Sequence, residues 1–252
     1  MSKQAEHFWI IGIKPVVEKI DEEGFFPEDE IYLARKQERL TGLLRKAEKG
    51  KVKIHRVSFK QLSEIIGQKN HQGIALLRKN KPALLSLSQE DLISYTNKPK
   101  LFLAFDGITD TGNVGALARS AVSFEASGFI IPRKKTASLS AGVWRSSAGA
   151  IGKIPVMFIP GLAGFMHRQN ENLLFVGTST QGKNPRVFFA EAKQEKRNIV
   201  LVLGSEQKGI SPLVQKRCKE MLAIPTSGQV ESLNVSVAGA ILMYEYFTSF
   251  YG

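Results

Sequence analysis

Between residues 100 and 252 the apolar positions fall into short unbroken runs, and segments with helical spacing separate these runs. Unbroken apolar runs are typical of strands buried on both faces, and strands that alternate with helices form mostly parallel sheets. The predicted strands are residues 101–105, 128–131, 173–176 and 199–203. The predicted helices are residues 113–123, residues 211–219 with Pro212 in the first turn, and an apolar segment from about 232 to 247. We therefore expect an α/β domain with a mostly parallel sheet covered on both faces.

The first 79 residues carry a second, smaller set of predicted elements. Strands are predicted at residues 8–13, 51–57 and 73–77, and helices at 15–20, 31–50 and 59–66. The long central helix rests on Ile31, Leu33 and Leu40, and Gly50 should end it. Ser58 and Gln61 have capping-box spacing, which predicts the start of the third helix.

The intervening stretch is typical of a linker. Residues 80–99 contain Pro82, Pro99 and the polar sequence SQED, in which Ser88 could cap one helical turn. The predicted organisation is therefore a small α/β unit in residues 1–79, a linker in residues 80–99 and a larger domain in residues 100–252.

The chain is strongly basic. Its 35 Lys+Arg against 23 Asp+Glu give a formal net charge of +12. This excess favours an anionic partner such as a nucleic acid, since solubility alone needs less charge and either sign serves. Basic residues bunch at one predicted helix end, where an RNA contact and a solvated surface are both open interpretations. They are Arg45, Lys46, Lys49, Lys51 and Lys53.

Redox, metal and membrane chemistry find little support in the chain. Cys218 is the only cysteine, so an internal disulfide is excluded, and we interpret this residue as a small helix filler. The four histidines lack metal-ligand spacing. No apolar run reaches membrane-spanning length, and the N-terminus lacks a signal-peptide core. We therefore expect a cytoplasmic protein without a membrane segment or a metal.

Three polar, glycine-rich loops follow predicted strands: residues 106–119, 204–211 and 224–234. Ligands of parallel sheets bind at the carboxyl ends of strands. The candidate polar side chains are Asn113, Arg119, Glu206, Ser232 and Asn234. With so few ionisable groups, the set suits positioning and electrostatic catalysis better than acid–base chemistry.

Each candidate also has a purely structural interpretation. Asn113 and Ser232 could be helix N-caps, Arg119 a surface helix residue, and Glu206 a turn residue facing solvent. Individually these interpretations are as good as the functional ones. The functional interpretation gains weight because the residues follow several strand ends.

Three familiar motifs nearly match in these loops and are excluded. Asp110-Thr111-Gly112 has the letters of the aspartic-protease triplet, but the expected apolar residues do not precede it. The glycines of residues 204–211 have P-loop spacing, but Ile210 stands where the phosphate-binding lysine belongs. The spacing at residues 112–115 lacks the first glycine of a dinucleotide fingerprint, so a nucleotide-binding oxidoreductase is disfavoured as well.

Taken together, the three loops resemble the signature motifs of the SpoU-type (TrmH-type) RNA ribose 2′-O-methyltransferases, within the SPOUT superfamily. Residues 106–121, 201–211 and 224–238 correspond to the three motifs, in the expected order. Residues 146–150 resemble an intermediate family element. Thr111 replaces the usual proline of the first motif, and Gln207 replaces the usual glycine of the second.

The resemblance extends to the start of the chain. Residues 1–79, with the sequence HQGI at residues 71–74, are similar to the small RNA-binding substrate domain that often precedes the catalytic domain. The implied fold is a knotted (trefoil), mostly parallel-sheet methyltransferase domain after a small α/β RNA-binding domain. The implied assembly is a homodimer with the active site at its interface.

The implied activity is methyl transfer from S-adenosyl-L-methionine to a ribose 2′-hydroxyl of structured RNA. Ribosomal RNA of the 23S type, at a guanosine, is favoured, transfer RNA is the alternative, and a non-catalytic RNA-binding module is the alternative from another class. By position in the motifs, the cofactor-binding residues would be Thr178, Gly204, Ile224 and Leu233. The catalytic residues would be Arg119, acting on the 2′-hydroxyl, with Asn113, Glu206, Ser232 and Asn234.

Two further expectations follow from the resemblance. Arginine is effectively always protonated, so Arg119 should bind phosphate and stabilise a developing alkoxide rather than act as a base. The apolar helix after Asn234 should form the dimer contact, with Leu242 and Tyr246 in it.

Overall fold

The structure is a computed structural model that describes residues 8–35, 38–78, 84–134, 136, 139 and 141–252. The chain divides into two compact units. The first comprises Met1–Ala83 and Ser140–Arg145, and the second comprises Leu84–Leu139 and Ser146–Gly252.

The described residues form ten strands and ten α-helices. The strands are β1 (Phe8–Ile11), β2 (Glu30–Leu33), β3 (Lys53–Arg56), β4 (Ile74–Arg78), β5 (Leu101–Asp106), β6 (Gly128–Pro132), β7 (Val156–Ile159), β8 (Leu173–Lys183), β9 (Asn198–Gly204) and β10 (Glu220–Leu222). The helices are α1 (Ile13–Glu23), α2 (Thr41–Lys49), α3 (Phe59–Ile66), α4 (Gln89–Ile93), α5 (Thr111–Ser123), α6 (Ala141–Ser146), α7 (Leu162–Gln169), α8 (Pro185–Ala192), α9 (Pro212–Gln215) and α10 (Val235–Tyr251). Short 3-10 turns cover Glu38–Leu40 and Ala150–Lys153.

The first unit is built on a four-stranded mixed sheet in the order β1-β4-β2-β3. β4 is antiparallel to both of its neighbours, and β2 is parallel to β3 with Leu33 opposite Arg56. The predicted capping box is confirmed, because Ser58 Oγ accepts from Gln61 N at 3.2 Å and Gln61 Oε1 accepts from Ser58 N at 2.8 Å. α3 therefore begins at Phe59, as the sequence predicts.

The predicted long helix in residues 31–50 is wrong in its first half. Ile31 and Leu33 are buried in β2, while Glu30 and Tyr32, which alternate with them, are partly exposed. This period-two pattern fits a strand, and β2 pairs with strands on both sides. The helix is limited to α2, which ends at Gly50 as predicted. The helical pattern predicted from the sequence wrongly included Ile31 and Leu33, because pairing with two neighbouring strands places these residues in a strand.

The second unit is built on a six-stranded sheet in the order β10-β8-β9-β5-β6-β7, and every neighbouring pair is parallel. The predicted parallel α/β fold is therefore confirmed. Phe102 of β5 belongs to a core cluster with Leu162 and Phe165 of α7 on one face. On the other face, a Cβ added to Gly239 of α10 would lie 2.4 Å from a methyl carbon of Leu117 of α5. Helices thus cover both faces of the central strands.

The described part of the predicted linker packs onto the second unit. Leu87 and Leu92 are buried in its core, and Ser88 caps α4 as predicted. Buried Asn198 holds the segment to β9, since its Nδ2 donates to the carbonyl of Leu92 at 2.7 Å and its Oδ1 accepts from Lys100 N at 2.9 Å. Residues 80–83 lie outside the described residues. The prolines and polar residues of this stretch predicted a linker, but its described residues are part of the larger unit.

None of the helices built by the described residues combines the length and the apolar stretch that a membrane crossing requires.

Candidate active site

Two of the three predicted loops meet because their strands are neighbours. β5 pairs with β9 in parallel, with Asp106 opposite Gly204, so the loops after both strands leave the same edge of the sheet. Asp106 Oδ2 accepts a hydrogen bond from Ser211 N at 2.7 Å. This bond ties the end of the second loop to the start of the first.

Three of the predicted side chains form a hydrogen-bonded group, which we call the Asn–Glu–Asn cluster: Asn113, Glu206 and Asn234. Glu206 Oε1 accepts from the side-chain amides of both asparagines, with Asn234 Nδ2 at 3.1 Å. Asn234 Nδ2 also donates to Asn113 Oδ1 at 3.1 Å. A carboxylate only accepts hydrogen bonds, so Glu206 fixes the orientation of both amides. Glu206 is an exposed turn residue, as the structural interpretation expects, but its carboxylate is also hydrogen-bonded to both asparagines.

Helix capping places Asn113 in the cluster. Asp110, and not Asn113, is the N-cap of α5, and its Oδ1 accepts from Asn113 N at 2.7 Å. Asn113 therefore lies in the first turn, with its side chain free to reach the cluster, and is buried with 9 % exposure. The N-cap interpretation of Asn113 is wrong because an aspartate three residues earlier takes that position.

A second cap positions Asn234. Its Oδ1 accepts from Ser236 N at 2.8 Å and from Ser236 Oγ at 2.6 Å, which makes Asn234 the N-cap of α10. The amide nitrogen then points away from the helix and donates to the cluster. Ser232 is therefore not the cap that the sequence suggested; it is exposed, two residues before the cap.

Glu206 is carried by a tight reverse turn. Ser205 and Gly209 exchange two backbone hydrogen bonds, of 3.0 and 2.8 Å, and Gly209 has a φ of +62°. A Cβ added to Gly204 would lie 2.2 Å from the carbonyl carbon of Gly209 and 2.3 Å from Ile210 N. Only glycine at position 204 lets the turn fold back over the end of β9.

A cavity of about 190 Å³ opens beside the cluster, between the loop after β5 and the Glu206 turn. Its lining includes Asp110, Asn113 and Glu206. Gln207, one of the two departures from the family pattern, also lines it. Thr111, the other departure, is the first residue of α5, a position that also tolerates proline, so the helix starts normally.

The intermediate element at residues 146–150 begins against α5. Ser146 Oγ donates to the carbonyl of Thr111 at 2.8 Å. A Cβ added to Gly115 would lie 2.6 Å from Ser146 Cβ. Gly115 is therefore required for the close approach that supports the first loop from behind.

The predicted cofactor residues lie in or after neighbouring strands. Thr178 lies in the middle of β8, directly after the last residue that pairs with β9, and Gly204 is the last residue of β9; the Thr178 hydroxyl donates to the carbonyl of Val202 at 3.4 Å. Ile224 follows β10, which pairs with β8, and Leu233 precedes α10; both are partly exposed. Their cofactor contacts stay predictions.

The structure does not bring the whole predicted set together. Arg119 is exposed on α5, more than a turn beyond Asn113, and no hydrogen bond among the described residues joins Arg119 or Ser232 to the cluster. Sequence reasoning missed Asp106 and Asp110, which hold the loops. Their positions, directly after a strand and directly before a helix, were the available signals.

Neither Cys218 nor any histidine of the described residues lines the cavity or bonds to the Asn–Glu–Asn cluster. Burial, with a smaller contribution from the charge of Asp106, raises the pKa of the Cys218 thiol to about 12. The parts of the chain that the structure describes contain no group of His, Cys, Asp and Glu side chains able to hold a metal ion.

Two family models match the chain. The SpoU rRNA Methylase family model matches residues 100–244, and the RNA 2′-O ribose methyltransferase substrate binding model matches residues 9–83.

Curated relatives match over nearly the whole chain. A 23S rRNA (guanosine-2′-O-)-methyltransferase RlmB of Xylella fastidiosa is 31% identical over 243 residues, covering 94% of each chain. An uncharacterised tRNA/rRNA methyltransferase of Mycobacterium avium is 33% identical over 242 residues, covering 94% of this chain and 75% of its own.

Among solved structures, the SpoU methyltransferase AviRb of Streptomyces viridochromogenes, in complex with the cofactor AdoMet, has a similar fold. It aligns with a TM-score of 0.57 at 21% identity over 96% of this chain and 90% of its own.

Proposed function

The chain belongs to the SpoU rRNA Methylase family, and from this premise we propose that it transfers a methyl group from S-adenosylmethionine to a ribose 2′-hydroxyl of structured RNA. The observation that carries the proposal is the Asn–Glu–Asn cluster. Asn113, Glu206 and Asn234 come one from each motif, and their side chains bond to one another at one edge of the sheet. A chain that had lost its activity would have no need to keep three distant polar groups in mutual contact.

The favoured substrate is a guanosine of 23S-type ribosomal RNA. Relatives with that printed activity align over 94–97% of this chain. The net charge of +12 supports binding to an RNA backbone. Transfer RNA remains the alternative, since mycobacterial relatives of similar identity carry a name that covers both RNAs. Residues 1–79 would act as the RNA-binding substrate domain, and the model match to residues 9–83 supports that role.

The residues that follow or end β9 and β10, together with Thr178 of β8, would hold S-adenosylmethionine. Gly204 lets the backbone of the Glu206 turn pass close over the end of β9, and main-chain groups of this turn would contact the cofactor. Thr178, Ile224 and Leu233 would complete this pocket. When bound, the cofactor supplies a methyl group already activated by its sulfonium.

The protein's share of the chemistry is to align the hydroxyl with the donor and to help it lose its proton. The Asn–Glu–Asn cluster holds the loops that would position the ribose, and Ser232 would lie in the loop next to it. Arg119, with its permanent charge, would bind an RNA phosphate and stabilise the developing alkoxide.

We also propose a trefoil knot and a homodimer. The knot is supported by the strand order, because β10 follows β9 in the chain but pairs with the opposite side of β8. The homodimer is supported by apolar side chains left exposed on α5 and α10, namely Val122, Val237 and Tyr244. An active site shared across this face would explain why Arg119 lies apart from the cluster of its own chain.

A cytoplasmic location fits a chain with a single cysteine.

Mapping of 2′-O-methyl sites in total RNA, with and without the gene, tests the proposal. One ribose in 23S-type rRNA should lose its methyl group in the absence of the gene. Titration calorimetry with S-adenosylmethionine is the complementary experiment. A folded chain that binds none at millimolar cofactor, together with an unchanged methylation map, would favour the non-catalytic RNA-binding module.

A further inference from the structure

The first unit contains a polar cavity at the carboxyl edge of its parallel strand pair. β2 and β3 are parallel and in register, so the residues that follow them leave the sheet side by side. The cavity there measures about 320 Å³, at the lower end of the range of roughly 300–1,000 Å³ typical of ligand pockets. Its polar lining side chains are Arg35, Arg56, Ser58 and Gln61, and no acidic residue lines it.

The two arginines of this cavity, which we call the Arg35–Arg56 cavity, carry charge that the unit does not neutralise. Both side chains are exposed, and no described carboxylate lies within ion-pair distance of either. By contrast, Lys14 pairs with Glu18 and Lys46 pairs with Asp21. Two unpaired guanidinium groups at the mouth of one cavity are suited to bidentate binding of a phosphate.

An exposed aromatic ring stands next to the cavity. Phe59, the first residue of α3, is 46% exposed. A Cβ added to Gly73 would lie 3.1 Å from Phe59 Cζ and 3.6 Å from Arg35 Cβ. The Phe59 ring and the side chain of Arg35 therefore both lie next to Gly73. A ring beside a cation is the combination that proteins use to hold unpaired RNA bases.

The HQG sequence at residues 71–73 keeps the ring in place. His71 is fully buried, its Nδ1 accepts from Gly73 N at 3.0 Å, and its Nε2 bonds Ser63 Oγ at 3.0 Å. The Phe59 ring packs on the imidazole at a centroid distance of 5.0 Å. Gly73 has a φ of +82°, where a side chain would be strained and would press on the ring. His71 and Gly73 therefore hold the Phe59 ring in position, and the exposed part of that ring is the surface on which a base can stack.

We propose that the Arg35–Arg56 cavity binds a backbone phosphate of the substrate RNA while Phe59 stacks on an unpaired base beside that phosphate. The inference rests on the proposed function, since it assigns a contact to the same RNA substrate. The first unit would thus select single-stranded or bulged RNA rather than a continuous duplex, because paired bases cannot reach the ring.

Fluorescence anisotropy of the full chain with two labelled RNAs tests the proposal. One RNA is a hairpin with an unpaired loop, and the other is a fully paired duplex of the same length. The double variant R35Q/R56Q should weaken binding to the hairpin by on the order of tenfold or more. It should also reduce the slope of log affinity against log salt concentration by about 1, because a phosphate contact is lost.

The ring is tested separately. F59A should weaken binding to the hairpin about 5- to 150-fold, the range expected for loss of one base stack, and should leave duplex binding unchanged. F59W should retain hairpin binding. Equal losses of hairpin and duplex binding in F59A would overturn the stacking contact.

Matched controls come from the same unit. K14Q/K19Q removes the same charge, but from residues that already have carboxylate partners, Glu18 and Glu23, and that lie outside the basic group of residues 45–53. I65A removes a side chain of similar exposure, 44%, from the same helix. Thermal unfolding and calorimetry with S-adenosylmethionine confirm that every variant is folded. If R35Q/R56Q and F59A bind RNA as tightly as the control variants do, the inference is overturned. If these variants then still transfer methyl groups at the wild-type rate, the proposed function stands.

Discussion

The side-chain amide of Asn234 donates a hydrogen bond to the side-chain oxygen of Asn113 over 3.1 Å, although 121 positions separate the two residues. Both amides also donate to Glu206 Oε1. The N-cap of α10 and the first turn of α5 are thereby joined to the turn after β9. Three motifs that are separate in sequence share one set of hydrogen bonds, so a substitution in one motif should alter the positions of side chains in the other two.

Glu206→Gln should reduce methyl transfer by on the order of tenfold to a hundredfold, because hydrogen bonds to a charged group contribute about 1.5–3 kcal/mol. The variant keeps the size of the side chain but loses the carboxylate that accepts from both asparagines. Transfer of radiolabelled methyl from S-adenosylmethionine to RNA from cells lacking the gene measures the effect. Glu171→Gln, an exposed change outside the site, should be silent. Equal activity of the two variants would remove the cluster from the mechanism.

Gly204→Ala should abolish cofactor binding and lower the free energy of unfolding by about 1–3 kcal/mol, as overpacking does. The new methyl group would lie 2.2 Å from backbone carbon of Gly209, which cannot move without opening the Glu206 turn. Calorimetry and denaturant unfolding provide the two measurements. Gly161→Ala is the matched control, because nothing lies within 4 Å of its added Cβ. Normal cofactor affinity in Gly204→Ala would show that the turn does not shape the pocket.

Arg119→Ala should lower methyl transfer by about a hundredfold or more while leaving affinity for S-adenosylmethionine nearly unchanged, since loss of one transition-state donor costs on the order of 10²–10³ in rate. The side chain is exposed, so the fold should tolerate its removal. Single-turnover methyl transfer and cofactor titration separate the two effects. Arg168→Ala, another exposed arginine in the same unit, serves as the comparison. Near-normal turnover would exclude Arg119 from the chemistry.

Two residues of α10 that were expected to form the dimer contact cannot do so. Leu242 and Tyr246 are fully buried within the chain, and the Tyr246 hydroxyl donates to the carbonyl of Pro99 at 2.6 Å. Charges at these positions should unfold the protein rather than divide a dimer, because an isolated charge in a core is strongly destabilising.

The dimer prediction therefore moves to the exposed face of the same helix. Val237 and Tyr244 are 47% and 49% exposed and lie two helical turns apart. V237E/Y244E should yield a folded monomer with reduced activity, whereas Leu242→Glu should unfold. Light scattering after size-exclusion chromatography and circular dichroism distinguish these outcomes. A V237E/Y244E protein that stays dimeric would place the interface elsewhere.

Cys218 should be nearly inert toward thiol reagents at pH 8 in the folded protein and reactive in denaturant. Burial raises the pKa of the folded thiol to about 12, well above the value of about 8.5 for a free cysteine. At pH 8 the thiolate, which is the reactive species, is therefore scarce in the native state. Reaction with Ellman's reagent, with and without urea, measures the contrast. Rapid labelling of the native protein would contradict the packing of this residue.

Local signals in the sequence were strong enough to predict much of the fold. Unbroken apolar runs predicted β5, β6 and β9 nearly to their ends, because strands buried on both faces cannot carry polar side chains. Ser58 and Ser88 predicted helix starts, since a capping hydroxyl acts on residues only three positions away. The parallel arrangement followed from the alternation of these strands with helices.

The sequence predicted structure less well where interactions with residues distant in the chain decide the outcome. Ile31 and Leu33 fit a helical pattern in the sequence, but pairing with two neighbouring strands places them in β2. The sequence left Asn113 and Ser232 open as helix N-caps, whereas Asp110 caps α5 and Asn234 caps α10. In each case several polar residues could have capped the helix, and the packing of the helix decided which one did.

The amino-acid sequence by itself determined the elements, the parallel α/β class, the basic charge and the residue types available for chemistry, because these depend on composition and on short-range periodicity. Only the tertiary structure decided which of these residues meet. Asn113, Glu206 and Asn234 become neighbours because β5 and β9 lie side by side and α10 returns across α5. Likewise, α10 is apolar nearly all round, so its pattern could not tell the face that packs in the core from the face left exposed. The chain's own packing made that choice, burying Leu242 and Tyr246 and leaving Val237 and Tyr244 at the surface.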